Sequence, residues 1–280
     1  MRRLTLLLAL PVLLPLQTTL RVDVNLVSVF ATVQDEFGNF VTDLKQDDFL
    51  VFEDGRQLPI EIFEKRDDLR TSVGVLIDNS GSSADVLGSV RKGVEEFASG
   101  LSPRDETFIM SFAIEADVVH SFYQDRRQIP GVLARLRSWG TSVFYDAMYS
   151  GISTVAGGAN ERKALIVLSD GKDNRSETSY TAVVQSAQSN MALLYFVAMG
   201  APILIDLHTI EGLASMTGGS VILVGRDEPV AGALRKINNE LRNQYYLGYH
   251  ASPDKGYHSI RIEVPGRNLQ IRAREGYLVQ

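Results

Sequence analysis

The sequence predicts an α/β fold: a doubly wound, mainly parallel sheet, carried on a small β module formed by N- and C-terminal strands. Three observations carry this reading. Between residues 72 and 242, short stretches rich in Val, Ile and Leu alternate with stretches of helical spacing, the pattern of a parallel sheet covered on both faces. Short β-branched runs with turn residues between them bracket that region at both ends. No short-period repeat and no low-complexity tract interrupts the pattern.

Taken in order, residues 22–33 form a β-branched stretch whose apolar alternation changes phase near Val27, which predicts a long strand carrying a bulge. Asp35, Gly38 and Asn39 end it in a turn. Residues 49–52 and 58–63 flank Asp54-Gly55, a dipeptide that tolerates positive φ at both centres of a tight hairpin. Residues 72–77 then predict a buried strand, 86–97 a helix, 107–112 a strand, and 129–136 and 145–155 two helices. The rhythm repeats as strand 164–168, helix 180–189, strand 191–197, helix 207–216, strand 220–224 and helix 230–242. Residues 245–249, 257–264 and 269–273 read as strands again, with Ile260, Ile262 and Val264 on one face and Arg261 and Glu263 on the other. An isolated hairpin is marginal in water, so the two end groups are expected to pair with each other.

At the N-terminus, Arg2 and Arg3 precede a mostly apolar stretch at 4–16 that stops at Gln17, Thr18 and Thr19. This is the layout of a secretory signal and is too short for a bilayer span. The expected division is therefore a signal peptide at 1–20, the first part of the β module at 21–66, the α/β domain at 71–242 and the rest of the module at 243–280, with the mature chain extracytoplasmic, periplasmic or secreted. The net charge is −6, and removing Arg2 and Arg3 makes it −8. Without a basic footprint, nucleic acid is excluded as an expected partner. The absence of cysteine excludes disulfides, thiolate zinc sites, iron-sulfur clusters and a thiol nucleophile.

Ligands of a doubly wound sheet collect at the carboxyl ends of its strands. After the strand at 72–77 comes Asp78-Asn79-Ser80-Gly81-Ser82, one carboxylate and two hydroxyls on alternate positions. Thr141 follows Gly140 in a second loop, and Ser169-Asp170-Gly171 follows the strand at 164–168. Five side chains, Asp78, Ser80, Ser82, Thr141 and Asp170, thus become candidate ligands for a hard divalent cation. Two carboxylates balance its charge while three hydroxyls leave it able to accept an anionic ligand. Taken alone, Asp170 also fits a simple Ser-Asp-Gly turn, and Asp146 fits a cap or a hydrogen-bond acceptor behind the ligands better than a sixth ligand.

On these residues, together with Tyr145-Asp146-Ala147 and Leu168-Ser169-Asp170-Gly171, the stretch from about 71 to 242 resembles a von Willebrand factor type A domain. The resemblance implies a metal-ion-dependent adhesion site holding Mg²⁺ or Mn²⁺, with Ser80, Ser82 and Thr141 as direct ligands and Asp78 and Asp170 bound directly or through water. It implies a non-enzymatic protein-binding or adhesion role toward a protein partner presenting an Asp or Glu carboxylate. The flanking segments, including Glu53-Asp54-Gly55 and Arg274-Glu275-Gly276-Tyr277, look like a bacterial group with this domain described from Acidobacteria. A metal-free interaction module is the alternative, and a metal-assisted hydrolase a lesser one. No H-E-x-x-H, G-x-S-x-G or phosphate-loop motif is present, and His120, His208, His250 and His258 read as surface or packing residues.

Overall fold

The computed structural model describes residues 26–65, 69–225 and 229–279; the expected signal segment lies outside them. Four strands come first: β1 (Leu26–Gln34), β2 (Leu50–Glu53), β3 (Arg56–Leu58) and β4 (Ile62–Glu64). Asp54 and Gly55 turn β2 into β3 with φ of 49° and 80°, as the tight hairpin demands. The expected strand at 58–63 is in fact two pieces in different sheets. Pro59 offers no N–H to a ladder, and β4 leaves the hairpin to pair with a strand from the other end of the chain.

The middle of the chain runs β5 (Thr71–Asp78), α1 (Leu87–Gly100), β6 (Glu106–Phe112), β7 (Ala116–His120), α2 (Ile129–Leu133), α3 (Phe144–Ala156) and β8 (Arg162–Ser169). It continues through α4 (Tyr180–Ser189), β9 (Leu193–Met199), α5 (Leu207–Thr217), β10 (Val221–Val224) and α6 (Val230–Arg242). These strands form a six-stranded sheet in the order β10-β9-β8-β5-β6-β7. All pairs are parallel except β6 with β7. The edge strand β7 was not expected, and its short run Ala-Asp-Val-Val-His carries little periodicity to find it by.

Every residue of β5 is buried, which is why this strand reads as nearly continuous apolar sequence. Val73, Val75 and Ile77 pack with Val90 and Val94 of α1 and Ile237 of α6. Leu76 faces the opposite layer, with Met148 and Ile152 of α3 and Leu213 of α5. The chain builds outward from β5 through β6 to β7, then returns to β8 and builds the other way. The strand order therefore reverses between β5 and β8, and the crevice at their carboxyl ends is where such sheets hold ligands.

The last strands are β11 (Tyr245–His250), β12 (Gly256–Glu263), β13 (Gln270–Arg272) and β14 (Gly276–Val279), of which β14 was not expected. They join the first four in two sheets, β13-β1-β11-β4 and β14-β12-β2-β3, so each sheet mixes strands from both chain ends. Val29, Val51, Leu247 and Ile260 share the core of this β module. The expected bulge in β1 is absent from the described residues, where its register is continuous against β11 and then β13. β1 is covered on both sides, with Val29, Ala31 and Val33 in the module core and Phe30 in the core shared by α1 and α6.

Candidate metal centre

Asp78 ends β5 beside the strand-order reversal and is fully buried. Its Oδ1 accepts the Ser80 N–H at 2.9 Å, a local turn that folds the loop back over the strand end. Its Oδ2 accepts the Ser169 hydroxyl at 2.8 Å, which ties the end of β5 to the end of β8. The Ser80 and Ser82 hydroxyls lie 3.1 Å apart, within hydrogen-bond distance of each other.

The second loop is held by backbone. Gly81 N–H donates to the Gly140 carbonyl at 3.0 Å, and Trp139 N–H donates to the Asn79 carbonyl at 3.0 Å. Gly140 has φ of 72°, a left-handed conformation that a side chain would strain, and a Cβ there would sit 3.0 Å from Ile114. Thr141 follows directly and is exposed. The third loop begins at Ser169. Asp170, half-buried, caps its own turn through the Lys172 N–H at 3.1 Å, and its carbonyl accepts the Asp206 N–H at 2.9 Å. The turn expected of Ser-Asp-Gly is therefore present.

The electrostatics of Asp78 are unusual for an aspartate. Burial pushes its carboxyl up from 3.8, and the nearby Asp170 charge pushes the same way, while the hydrogen bonds from Ser80 and Ser169 oppose them. The buried Asp78 carboxylate thus has the Ser80 and Ser169 hydroxyls as partners and feels the Asp170 charge. Such a set lacks a positive charge and matches the oxygen ligands of a hard divalent cation.

Asp146 does not point at this locus. Its two carboxylate oxygens accept the Thr178 N–H at 2.8 Å and the Glu177 N–H at 3.1 Å, which holds the chain after the third loop against the start of α3. Asn174 does the same for the second loop, exchanging bonds with Ser142 at 2.9 and 3.2 Å. Sequence reasoning assigned no role to Ser169 and weighed Asn174 only as a rim residue, below a solvated loop. Ser169 sits inside the quoted Leu168-Ser169-Asp170-Gly171, but its bond to Asp78 depends on β5 and β8 being neighbours, which local spacing does not encode. The four histidines lie outside these loops; His120 and His258 are buried, the latter beside Asp54.

The family model described as "von Willebrand factor type A domain" matches residues 72–240. Among solved structures, a von Willebrand factor type A protein from Catenulispora acidiphila shares 13% identity, with 80% of this chain and 75% of that one covered at a TM-score of 0.54. BatB from Bacteroides thetaiotaomicron shares 15% identity, covering 62% of this chain and 97% of that chain at 0.51. Proximal thread matrix protein 1 from the mussel byssus, with a zinc-occupied MIDAS motif, shares 12% identity over 68% of this chain and 49% of that chain at 0.55. At such identities the likeness is one of fold. No curated protein matches the sequence.

Proposed function

The chain belongs to the von Willebrand factor type A family, and from that premise we propose that it is a metal-dependent protein-binding module acting outside the cytoplasm. Asp78, Ser80, Ser82, Thr141 and Asp170 would hold Mg²⁺ or Mn²⁺, and the ion, when bound, would supply an open position for a carboxylate of a partner protein. The observation that carries this reading is the buried Asp78 carboxylate beside Asp170, with hydroxyls rather than a basic side chain as its closest partners. The zinc-occupied site of the mussel protein supports the same use of the fold. Export rests on residues 1–20 alone. Among the described residues no helix is long and apolar enough to cross a membrane.

The chain's own contribution is to keep the locus open and rigid. The Gly81 to Gly140 and Asn79 to Trp139 backbone bonds fix the second loop against the first. Asp146 and Asn174 brace the third, as carboxylates and amides behind metal ligands commonly do. Partner affinity would come from one charge-assisted bond and from contacts to the exposed rim, where Trp139 and Ile203 stand 56% and 92% exposed. Water-proton relaxation with Mn²⁺ tests the open position. Bound Mn²⁺ is expected to enhance relaxation, and a short Asp-containing peptide to lower that enhancement where its Asn counterpart does not. Equal effects of the two peptides would count against carboxylate capture, and no enhancement at all would favour the metal-free module.

A further inference from the structure

A second cluster of metal-ligating groups lies in the β module, built by residues about two hundred positions apart. Glu53 ends β2, Asp54 opens the hairpin turn and His258 lies on β12. The β2–β12 register, in which Glu53 faces Ile260, brings the three together. One ligand atom from each lies within 4.8 Å of the others. Glu53 and His258 are buried and Asp54 is exposed.

Each of the three is oriented from behind. His258 Nε2 lies 3.0 Å from the Asp254 carbonyl, which only accepts, so Nε2 carries a proton and Nδ1 is left to face Asp54 Oδ2 at 2.8 Å. Asp54 Oδ1 is held by the Ser259 N–H at 2.8 Å and its hydroxyl at 3.1 Å. Glu53 Oε1 accepts the Ser252 N–H at 2.8 Å, and Oε2 accepts the Tyr277 hydroxyl at 2.9 Å. An imidazole locked through a backbone carbonyl, and carboxylates fixed by hydrogen bonds, Asp54 at one oxygen and Glu53 at both, are the supports that metal ligands receive. Two further observations point to an occupant. Tyr249 is fully buried, and its hydroxyl lies against Glu53 without completing a hydrogen bond. A cavity of about 480 Å³, lined by Glu53, Asp54, Arg56, His250 and Ser252 among others, opens onto the two carboxylates and provides an entry path and room for water.

We propose that Glu53, Asp54 and His258 form a second divalent-metal site, selective for Zn²⁺ over Mg²⁺ and separate from the three-loop locus. The donor set argues for the selectivity: one imidazole and two carboxylates with a water in the fourth position suit tetrahedral Zn²⁺, whereas Mg²⁺ takes oxygen in octahedral geometry. Zn–ligand bonds of about 2.0–2.2 Å place neighbouring tetrahedral ligands about 3.3–3.5 Å apart. The Nδ1 to Oδ2 contact therefore has to open by roughly half an ångström, a movement that the exposed Asp54 side chain allows.

The test is calorimetric titration of Zn²⁺ into the full chain carrying Asp78→Ala, which silences the three-loop locus. One Zn²⁺ per chain is expected, and His258→Gln on that background is expected to weaken binding at least 100-fold. No binding, or binding unchanged by His258→Gln as it would be if His208 or His250 were the ligand, overturns the proposal. If His258→Gln fails to fold, Co²⁺ added to the Asp78→Ala chain decides. Strong visible bands of tetrahedral cobalt support the site, and only weak octahedral absorption or none overturns it. Because Asp78 is already absent, neither result depends on the fate of the first site.

Discussion

Asp78→Ala is expected to abolish the rise in melting temperature that Mg²⁺ or Mn²⁺ gives the wild-type chain. A ligand present at 100 times its dissociation constant stabilises by about 2.7 kcal/mol, and at roughly 2–4 °C per kcal/mol for a domain of this size the wild-type shift is about 5–10 °C. The variant should show none, because the removed carboxylate is the one at the base of the locus, bonded to both the Ser80 and the Ser169 loops. Asp78→Asn separates charge from packing. The buried carboxyl has its pKa raised by burial and by Asp170, so the folded chain binds that proton more tightly than the unfolded chain does. Metal-free wild type therefore gains stability as the pH falls through the raised value toward 3.8 and loses it as the pH rises. Metal-free Asp78→Asn should lack this dependence and melt no lower than wild type at pH 7, while still failing to respond to metal. A melting shift with Mg²⁺ equal to that of wild type would contradict the assignment.

The second large effect is expected at Glu240, which joins the α/β domain to the β module. This α6 residue is buried, accepts the Tyr195 hydroxyl of β9 at 2.9 Å and the Thr32 hydroxyl of β1 at 3.4 Å, and ion-pairs with Arg272 of β13. Gln244 completes the network by donating to both hydroxyls at 3.1 and 3.3 Å. Removing Glu240 leaves the buried Tyr195 and Thr32 hydroxyls without their acceptor, while Arg272, 32% exposed, can turn to water, so the cost is about 1–3 kcal/mol. Glu240→Ala should therefore lower the urea midpoint by an amount corresponding to about 2 kcal/mol, and Glu240→Gln, which keeps acceptors but loses the charge, by less. An unchanged midpoint for Glu240→Ala would show that the two parts of the chain are held together by their apolar contacts alone.

The elements that sequence periodicity identified best are those buried on both faces, because continuous apolar runs as short as Val73 to Ile77 and Ala164 to Leu168 are characteristic of central strands in a covered sheet. Where it misread, tertiary contact had overridden the local pattern. β1 carries apolar residues on both faces because Phe30 serves the helix-covered core while its neighbours serve the β module, so no bulge is needed within the described residues. Residues 58–63 divide at Pro59 because the second half pairs with β11, a partner from the far end of the chain. The candidate metal ligands were legible because each sits just past an apolar strand or beside a glycine. The groups that brace them were less so: Ser169 reaches Asp78 across 91 residues, and Asp146 reaches Thr178 across 32. His258 and Asp54 are 204 positions apart, and no spacing rule connects a hairpin turn to a strand at that distance.

The central claim is that oxygen atoms from three loops converge on one cation at the carboxyl ends of β5 and β8. Anomalous diffraction from crystals grown with Mn²⁺ measures this directly. The account predicts one peak within about 2.5 Å of the Ser80, Ser82 and Thr141 hydroxyl oxygens, with Asp78 and Asp170 bonded to it or one water away. A peak elsewhere, or one at Asp78 with Thr141 and Asp170 both beyond the reach of a bridging water, would contradict it.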